Sequence, residues 1–556
     1  MKGKKTAALL LTLSLFAGLA GCGMNIAPTE ASAFSAAETS GTAMEPVTDR
    51  DITVSETTGV FSLTTDDGVF ETDGSVYTIT SAGTYVLTGL LEGQILVDAG
   101  EDDEVVLELA GTTITCAGDS PIKVVSAGSA DISAKSGTEN VINDTRSAKT
   151  AEDDAQGEGA IYAVCDLKIK GGGVLAVNAS YNNGIHTTKD LEIRKLTLKC
   201  TAYNNALKGN DSVSVISGAV VAISTNGDGV KTENTDLNKN GAVRGDIVLT
   251  GGSIAVYAAG DGFQAAHDFE TAAGEDGAAP TVLIYTGAYS GYTASDAAET
   301  SCKGIKAGNE LRIRDGNITV QSYDDGLHAD SGASFGDGTE GQGTIAVSGG
   351  TVTLNVYAPE NKTMGGRAER RGGRGQQTVS GADGIHADGT LSISGGTIDI
   401  ESAYEGLEAN VINISGGRTC VSAGDDGVNA CKGAQTPLVK VTGGVFDVTV
   451  SPDGDLDGID SNGSYIQTGG LVITRGPNTM MAGAIDAEST IEVSGGTLLA
   501  LGYGRIEVSG SVKQIELSLH SQGEHTLTVG DTSYVFTNAY AYAQTLCVSD
   551  AQVNGK

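Results

Sequence analysis

One short phrase returns along the whole chain: Asp or Asn, then Gly, then a branched apolar residue, any residue, and often Ala or Thr. Clear copies are NNGIHTT at Asn182–Thr188, GDGVKT at Gly227–Thr232, DDGLHAD at Asp324–Asp330 and ADGIHAD at Ala382–Asp388. Others are YEGLEAN at Tyr404–Asn410, DDGVNA at Asp425–Ala430 and LDGIDSN at Leu456–Asn462. Looser copies place the central small residue at Ala206, Gly262, Gly304 and Ala484. Counting centres at 184, 206, 229, 262, 304, 326, 384, 406, 427, 458 and 484, five of the intervals are 21 to 23 residues. The longer ones fit loops inserted into a fixed unit. A second phrase follows the first: an alternating strand, a Gly pair, another alternating strand, as in LSISGGTIDI at Leu391–Ile400 and IEVSGGTLLA at Ile491–Ala500. Strict alternation predicts strands with one buried face. A period near 22 residues predicts a solenoid whose units bury their apolar faces on their neighbours.

A leucine-rich repeat has a similar period, but its Leu frame and Asn or Cys step do not recur. The expected fold is therefore all-β: a right-handed parallel β-helix with capped ends. Eleven rungs about 4.8 Å apart would make a rod about 50 Å long. Composition agrees, with 80 Gly for tight corners and no Trp in 556 residues. The formal net charge of -36, from 70 acidic and 34 basic residues, opposes binding to nucleic acid or anionic lipid and favours divalent cations. Solubility of a long exposed rod explains many of these charges equally well.

Residues 1–21 read as a lipoprotein export signal: Lys2, Lys4 and Lys5, a short apolar run, and Leu19-Ala20-Gly21-Cys22 in the form of a lipobox. Cys22 is the expected lipidation site, which puts the protein outside the cell, anchored to the bacterial membrane through lipid alone. Residues 22–50 read as a flexible stalk. Residues 51–145 are β-rich but off the period, as expected for a cap plus first rungs. The β-helix is expected over 146–509, with insertions near 269–300, taken as a loop or short hairpin, and 358–381, an Arg/Gly-rich run expected to be disordered or to gather polyanions. Residues 510–556 should cap the far end, with a hairpin over Thr526–Phe536. Seven further cysteines show no CxxC spacing, so spacing supports neither a disulfide framework nor a zinc site.

The lipobox, the stretch QILVDAGEDDEVVLELAGTTIT, the DGI-type rungs with GG turns and the Gly/Arg-rich loop together resemble the bacterial carbohydrate-binding domain-containing proteins, surface β-helices similar to polysaccharide lyases. The resemblance spans roughly Asp51–Ser509. It implies calcium sites and binding of cellulose and acidic plant polysaccharides, and it supplies no catalytic residue.

Rung alignment yields candidate sites independently. The residue after the inward apolar one should point outward: His186, Lys208, Lys231, Gln264, Lys306, His328, His386, Glu408, Asn429, Asp460 and Asp486. The residue before Gly reads Asn183, Asn205, Asp228, Asp261, Lys303, Asp325, Asp383, Glu405, Asp426 and Asp457. From Glu405 to Asp460 both columns are acidic or amide. Two carboxylates one rung apart repel by about 3 kcal/mol at an effective dielectric of 20, and calcium, with six to eight oxygen ligands, would relieve this. The preferred calcium site is thus Glu405, Glu408, Asp425, Asp426, Asn429, Asp455, Asp457 and Asp460. A second is Asp324, Asp325 and Asp330 with Asp383 and Asp388. A solvated acidic face is the alternative. Tyr181, Tyr203, Tyr323 and Tyr404 are candidate sugar-stacking residues or a stacked ladder, and His186, His328 and His386 are ladder residues first and metal ligands second. Three function classes stay open: a non-catalytic, monomeric polysaccharide-binding lipoprotein; a calcium-dependent polysaccharide lyase using Lys208, Lys231 or Lys306 as base; and a structural adhesin or spacer.

Overall fold

The computed structural model describes residues 52–149, 158–291, 301–357, 381–451, 456–477, 482–503, 506–519, 521–538, 543–548 and 551–553. The signal, stalk, Cys22, Asp455 and the Arg/Gly-rich run lie outside these residues. The protein is all-β, and its one helical element among the described residues is a 3-10 turn at Gly287–Ser290.

Most strands belong to one large sheet in which, away from its two ends, strands pair in parallel with the counterpart one unit on, three strands further along over much of the chain. Three ladders result. The motif strands form the first, for example Ile305–Ala307 beside Leu327–Ala329 beside Ile385–Ile393. The strands before and after each Gly pair form the other two, as in Glu310–Ile313 beside Thr344–Val347 and Asn317–Ser322 beside Thr351–Val356. Alternate residues of the ladder strands enter one continuous apolar core running from Leu63 to Ala500. A one-residue slip would turn that apolar set outward, so the core itself holds the register. The second glycine of each pair turns the chain at positive φ, for example 78° at Gly396 and 73° at Gly417, where a side chain would be strained.

Antiparallel strands close both ends. Ser62–Thr65 pairs with Gly83–Glu92, and Phe70–Asp73 pairs with Val76–Ile79. At the other end Ala543–Val548 pairs with Thr490–Gly502 and Gln514–Leu519. The hairpin expected over Thr526–Phe536 appears as Gly523–Val529 against Thr532–Asn538.

One boundary needs correction. The segment 269–300 is not an inserted loop or hairpin as a whole. Phe269–Thr271 pairs with Asp246–Leu249 and Glu310–Ile313, and Thr281–Thr286 pairs with Ser253–Ala258 and Asn317–Ser322. Both are regular ladder strands. Their acidic, Gly-rich connection at 272–280 interrupts the pattern in sequence without interrupting the ladders.

Candidate functional site

The recurring phrase builds its own ladder. The N–H of the motif glycine donates to the carbonyl of the pre-glycine residue one unit on, for example Gly326 to Asp383 at 2.9 Å and Gly384 to Glu405 at 2.9 Å. A Cβ at Gly184, Gly326, Gly384, Gly427 or Gly458 would stand 2.6 Å from the carbonyl oxygen of the next unit's central residue. Glycine fits that approach best, and a Cβ is accommodated only at Ala206 and Ala484 among the motif centres. The short side chain before it also works between units. Asp228 accepts from the Asp261 N–H (2.9 Å), Asp325 from Asp383 (2.8 Å), Asp383 from Glu405 (3.3 Å) and Asp426 from Asp457 (2.6 Å). Asp and Asn suit the position because their oxygen reaches one unit along, as in helix capping and Asx turns. Much of the acidic column thus satisfies backbone donors with one oxygen and keeps the other for different partners.

The register places the predicted column in one line. His186 pairs with Lys208, Lys208 with Lys231, and the line continues through Gln264, Lys306, His328, His386, Glu408, Asn429 and Asp460 to Asp486. The expectation that this column faces solvent is corrected in its first part. His186 is 2% exposed and Lys208 9%, because neighbouring side chains pack over them. The Tyr162 ring meets His186 edge-on. Burial, with Lys208 alongside, pushes His186 down to about 4. The lysines are not free. Lys208 pairs with Glu233, Lys231 with Asp228 at 3.0 Å, and Lys306 with Asp330 at 2.9 Å.

Two copies of His-Ala-Asp then stack. The His328 and His386 rings lie 4.8 Å apart and nearly parallel. In the first copy, His328 Nδ1 contacts Asp325 and Nε2 contacts Asp330, both at 2.7 Å. Lys303 reaches Asp324 and Asp325, each at 2.9 Å. Burial alone would raise Asp325, but His328 and Lys303 hold it well below the usual carboxylate range. Asp330 is likewise held at about 2 against burial by His328 and Lys306. In the second copy, His386 Nδ1 lies 3.0 Å from Asp383 and 3.1 Å from Glu408, and Nε2 lies 3.3 Å from Asp388. Asp388 accepts from Ser331 N–H at 2.7 Å and its hydroxyl at 3.0 Å. Here no lysine or arginine pairs with Asp383, Glu405 or Glu408 among the described residues. Burial, with Asp325 and Glu405 nearby, pushes Asp383 well up.

Further along, Glu405 accepts from Asn429 Nδ2 at 3.0 Å. Burial and the adjacent Glu408 push Glu405 up to about 8. Burial, with Glu405, Asp425 and Asp457 beside it, pushes Asp426 up to about 9. Carboxyl groups crowd here, and each holds its proton more tightly than an isolated one. The tightest convergences lie elsewhere, however: Asp325, His328 and His386; Asp383, His386 and Glu408; and Asp246, His267 and Asp268 each bring ligand atoms within 4.8 Å of one another. The first two join the second predicted site to Glu408 from the preferred one. Asp324 contributes through Lys303.

The tyrosines divide. Tyr181 is buried, with the Arg146 guanidinium 3.9 Å from its ring centre, so it offers no face to a sugar. Tyr323 stacks on Tyr357 at 4.1 Å and meets Tyr289 edge-on, which is the ladder alternative. Tyr404 and Tyr203 are half-buried, and Tyr404 hydrogen-bonds to Asp425. Sequence reasoning missed Asp246, His267 and Asp268, which sit on the second ladder with Arg312. The register signal for them was Glu270 opposite Arg312. It also missed Cys431, whose backbone N–H donates to the carbonyl of Ala409, the residue after Glu408, at 3.0 Å.

The family described as "Carbohydrate-binding domain-containing protein" matches residues 73–356 and 333–427. A protein of that description from Acetivibrio thermocellus is 41% identical over 117 residues, covering 21% of this chain and 41% of that protein, so the chain spans less than half of that relative's length. The solved structure of the polysaccharide lyase-like protein from C. thermocellum, a gadolinium derivative, aligns with a TM-score of 0.37 at 31% identity, over 46% of this chain and 90% of that one.

Proposed function

The chain belongs to the carbohydrate-binding domain-containing protein family, and from that premise we propose that it is a non-catalytic, calcium-dependent polysaccharide-binding protein of the bacterial surface. In this reading it is a monomer, held to the membrane by lipid on Cys22, that binds cellulose and acidic plant polysaccharides. The three parallel ladders are the faces of a right-handed parallel β-helix. Pairing at every third strand is what a chain wound in three-strand coils produces, and right-handed connection is the rule for parallel strands.

The observation that carries the proposal is the change in the motif ladder after His386. Before it, Lys208, Lys231, Lys303 and Lys306 balance the carboxylates; from Glu405 onward neither column contains a basic residue. Glu405 and Asp426, pushed up by burial and by one another's company, mark a place where a hard dication would replace protons. Such an ion can also bridge to a uronate carboxylate. The lyase alternative is weaker, because each candidate base lysine is already engaged in an ion pair with a carboxylate of the protein.

The test is binding of the purified chain to polygalacturonate and to cellulose, with calcium and with chelator. Chelation should weaken polygalacturonate binding strongly and cellulose binding less, and should lower the melting temperature. Changing Asp426 and Asp457 together to Asn should reproduce the chelator effect, whereas Asp102→Asn, at an exposed acid, should change little. A double variant with unchanged calcium stoichiometry and stability would favour the solvated acidic face.

A further inference from the structure

We propose that Asp383, His386 and Glu408 form a binding site for a first-row transition-metal dication of the zinc class, separate in chemistry from any calcium on the acidic column. The three residues come from two successive motif strands. The strand Ile385–Ile393 carries His386 with Asp383 just before it, and Leu407–Ile414 carries Glu408.

Geometry is the first argument. His386 Nδ1 lies 3.0 Å from Asp383 Oδ2 and 3.1 Å from Glu408 Oε2, with all three ligand atoms within 4.8 Å of one another. An ion bonded at about 2.0–2.2 Å to an imidazole nitrogen and a carboxylate oxygen separates those atoms by about 3.0–3.4 Å across an octahedral or tetrahedral angle. The pocket is therefore already at ligand spacing.

The donor set is the second argument. One imidazole and two carboxylates are a donor set that zinc and its neighbours take, whereas calcium takes oxygen alone. Spacing along the chain argued against zinc because no cysteine pair is present; the ladder instead assembles a nitrogen and oxygen set.

The supporting contacts are the third. His386 Nε2 faces Asp388, which Ser331 fixes through two hydrogen bonds. Asp383 Oδ1 is occupied by the Glu405 N–H, which turns Oδ2 into the pocket. A histidine oriented by a carboxylate is the usual arrangement behind a metal ligand.

The first His-Ala-Asp copy is an internal control. It has the same Asp–His–Asp spacing, yet Lys303 Nζ already sits on Asp325. The cation position there is filled by the protein, and in the second copy it is not. Binding of the metal moves the Nδ1 proton to solvent, with no redox change.

The experiment uses the full chain, stripped with chelator and returned to excess calcium, then titrated with Zn2+ by calorimetry and with Co2+ by absorption. The expected result is one equivalent of Zn2+ that calcium does not displace, and visible absorption from bound Co2+. Asp388→Asn should weaken Zn2+ about 10–100-fold, and His386→Ala should remove it. Glu408→Gln should weaken binding, and Cys116→Ser, at the end of the strand Glu104–Cys116, should leave it unchanged. Absence of Zn2+ binding, displacement by calcium, or binding indifferent to both His386→Ala and Glu408→Gln would overturn the site. The readout involves no polysaccharide, so it stands or falls independently of the carbohydrate-binding reading. Glu408→Gln, a near-isosteric change, keeps the test decisive where His386→Ala fails to fold.

Discussion

The close packing of the motif strands can be tested at Gly427. A Cβ there would overlap Val448 Cγ1 and stand 2.6 Å from the Gly458 carbonyl oxygen. Val448 is fully buried on the third ladder. Overpacking of this kind costs about 1–3 kcal/mol, offset by about 0.4–1 kcal/mol from the reduced freedom of the unfolded chain. Gly427→Ala should therefore lower stability by about 1–2 kcal/mol, while Gly424→Ala, where the nearest atom is 3.6 Å away, should be neutral or slightly stabilising. The chain suggests its own remedy. Along the third ladder, Ala222 and Ala500 fall in the units whose motif position is Ala206 and Ala484, whereas Cys200, Val256, Ile284, Ile400, Val421 and Val448 fall in units with glycine. Small opposite large, or two small together, keeps the space filled. Val448→Ala alone should cost about 2 kcal/mol, from two lost methyl-sized groups at about 0.8 kcal/mol each plus a cavity. Combined with Gly427→Ala, the total should fall short of the sum by about 1–2 kcal/mol, as for contacting pairs. Urea denaturation of the four proteins, followed by circular dichroism, measures this. Strict additivity, or a Gly427→Ala protein as stable as Gly424→Ala, would refute the steric account.

Metal-free protein should lose stability as pH rises from about 4.5 to about 9. Glu405 is raised from 4.5 to about 8 and Asp426 from 3.8 to about 9, so the folded state holds more protons across that window and each deprotonation favours unfolding. Melting curves in chelator should show this slope, and Asp426→Asn or added calcium should flatten it; a slope of the opposite sign would count against the buried acidic cluster. Cys22→Ser should release the protein from membranes or block its maturation; unchanged retention without lipid labelling would exclude lipid anchoring.

Period-two alternation around a phrase of constant form was enough to align the motif strands residue by residue, from His186 to Asp486. The reason is local: a one-residue slip would expose Ile385 or Leu407, so apolar spacing alone decides register. The same argument identified the Asp/Asn column, though not its backbone role between units. What lay beyond it depended on distance across the ladders. His328 and His386 are 58 positions apart in the chain but 4.8 Å apart in the fold. His186 and Lys208 are buried by partners from other strands, and Thr281–Thr286 joins a ladder despite a connection that breaks the period. Cys431 becomes a neighbour of Glu408 only because two motif strands stack. Periodicity is a property of successive residues, whereas burial and charge convergence belong to side chains that meet between units.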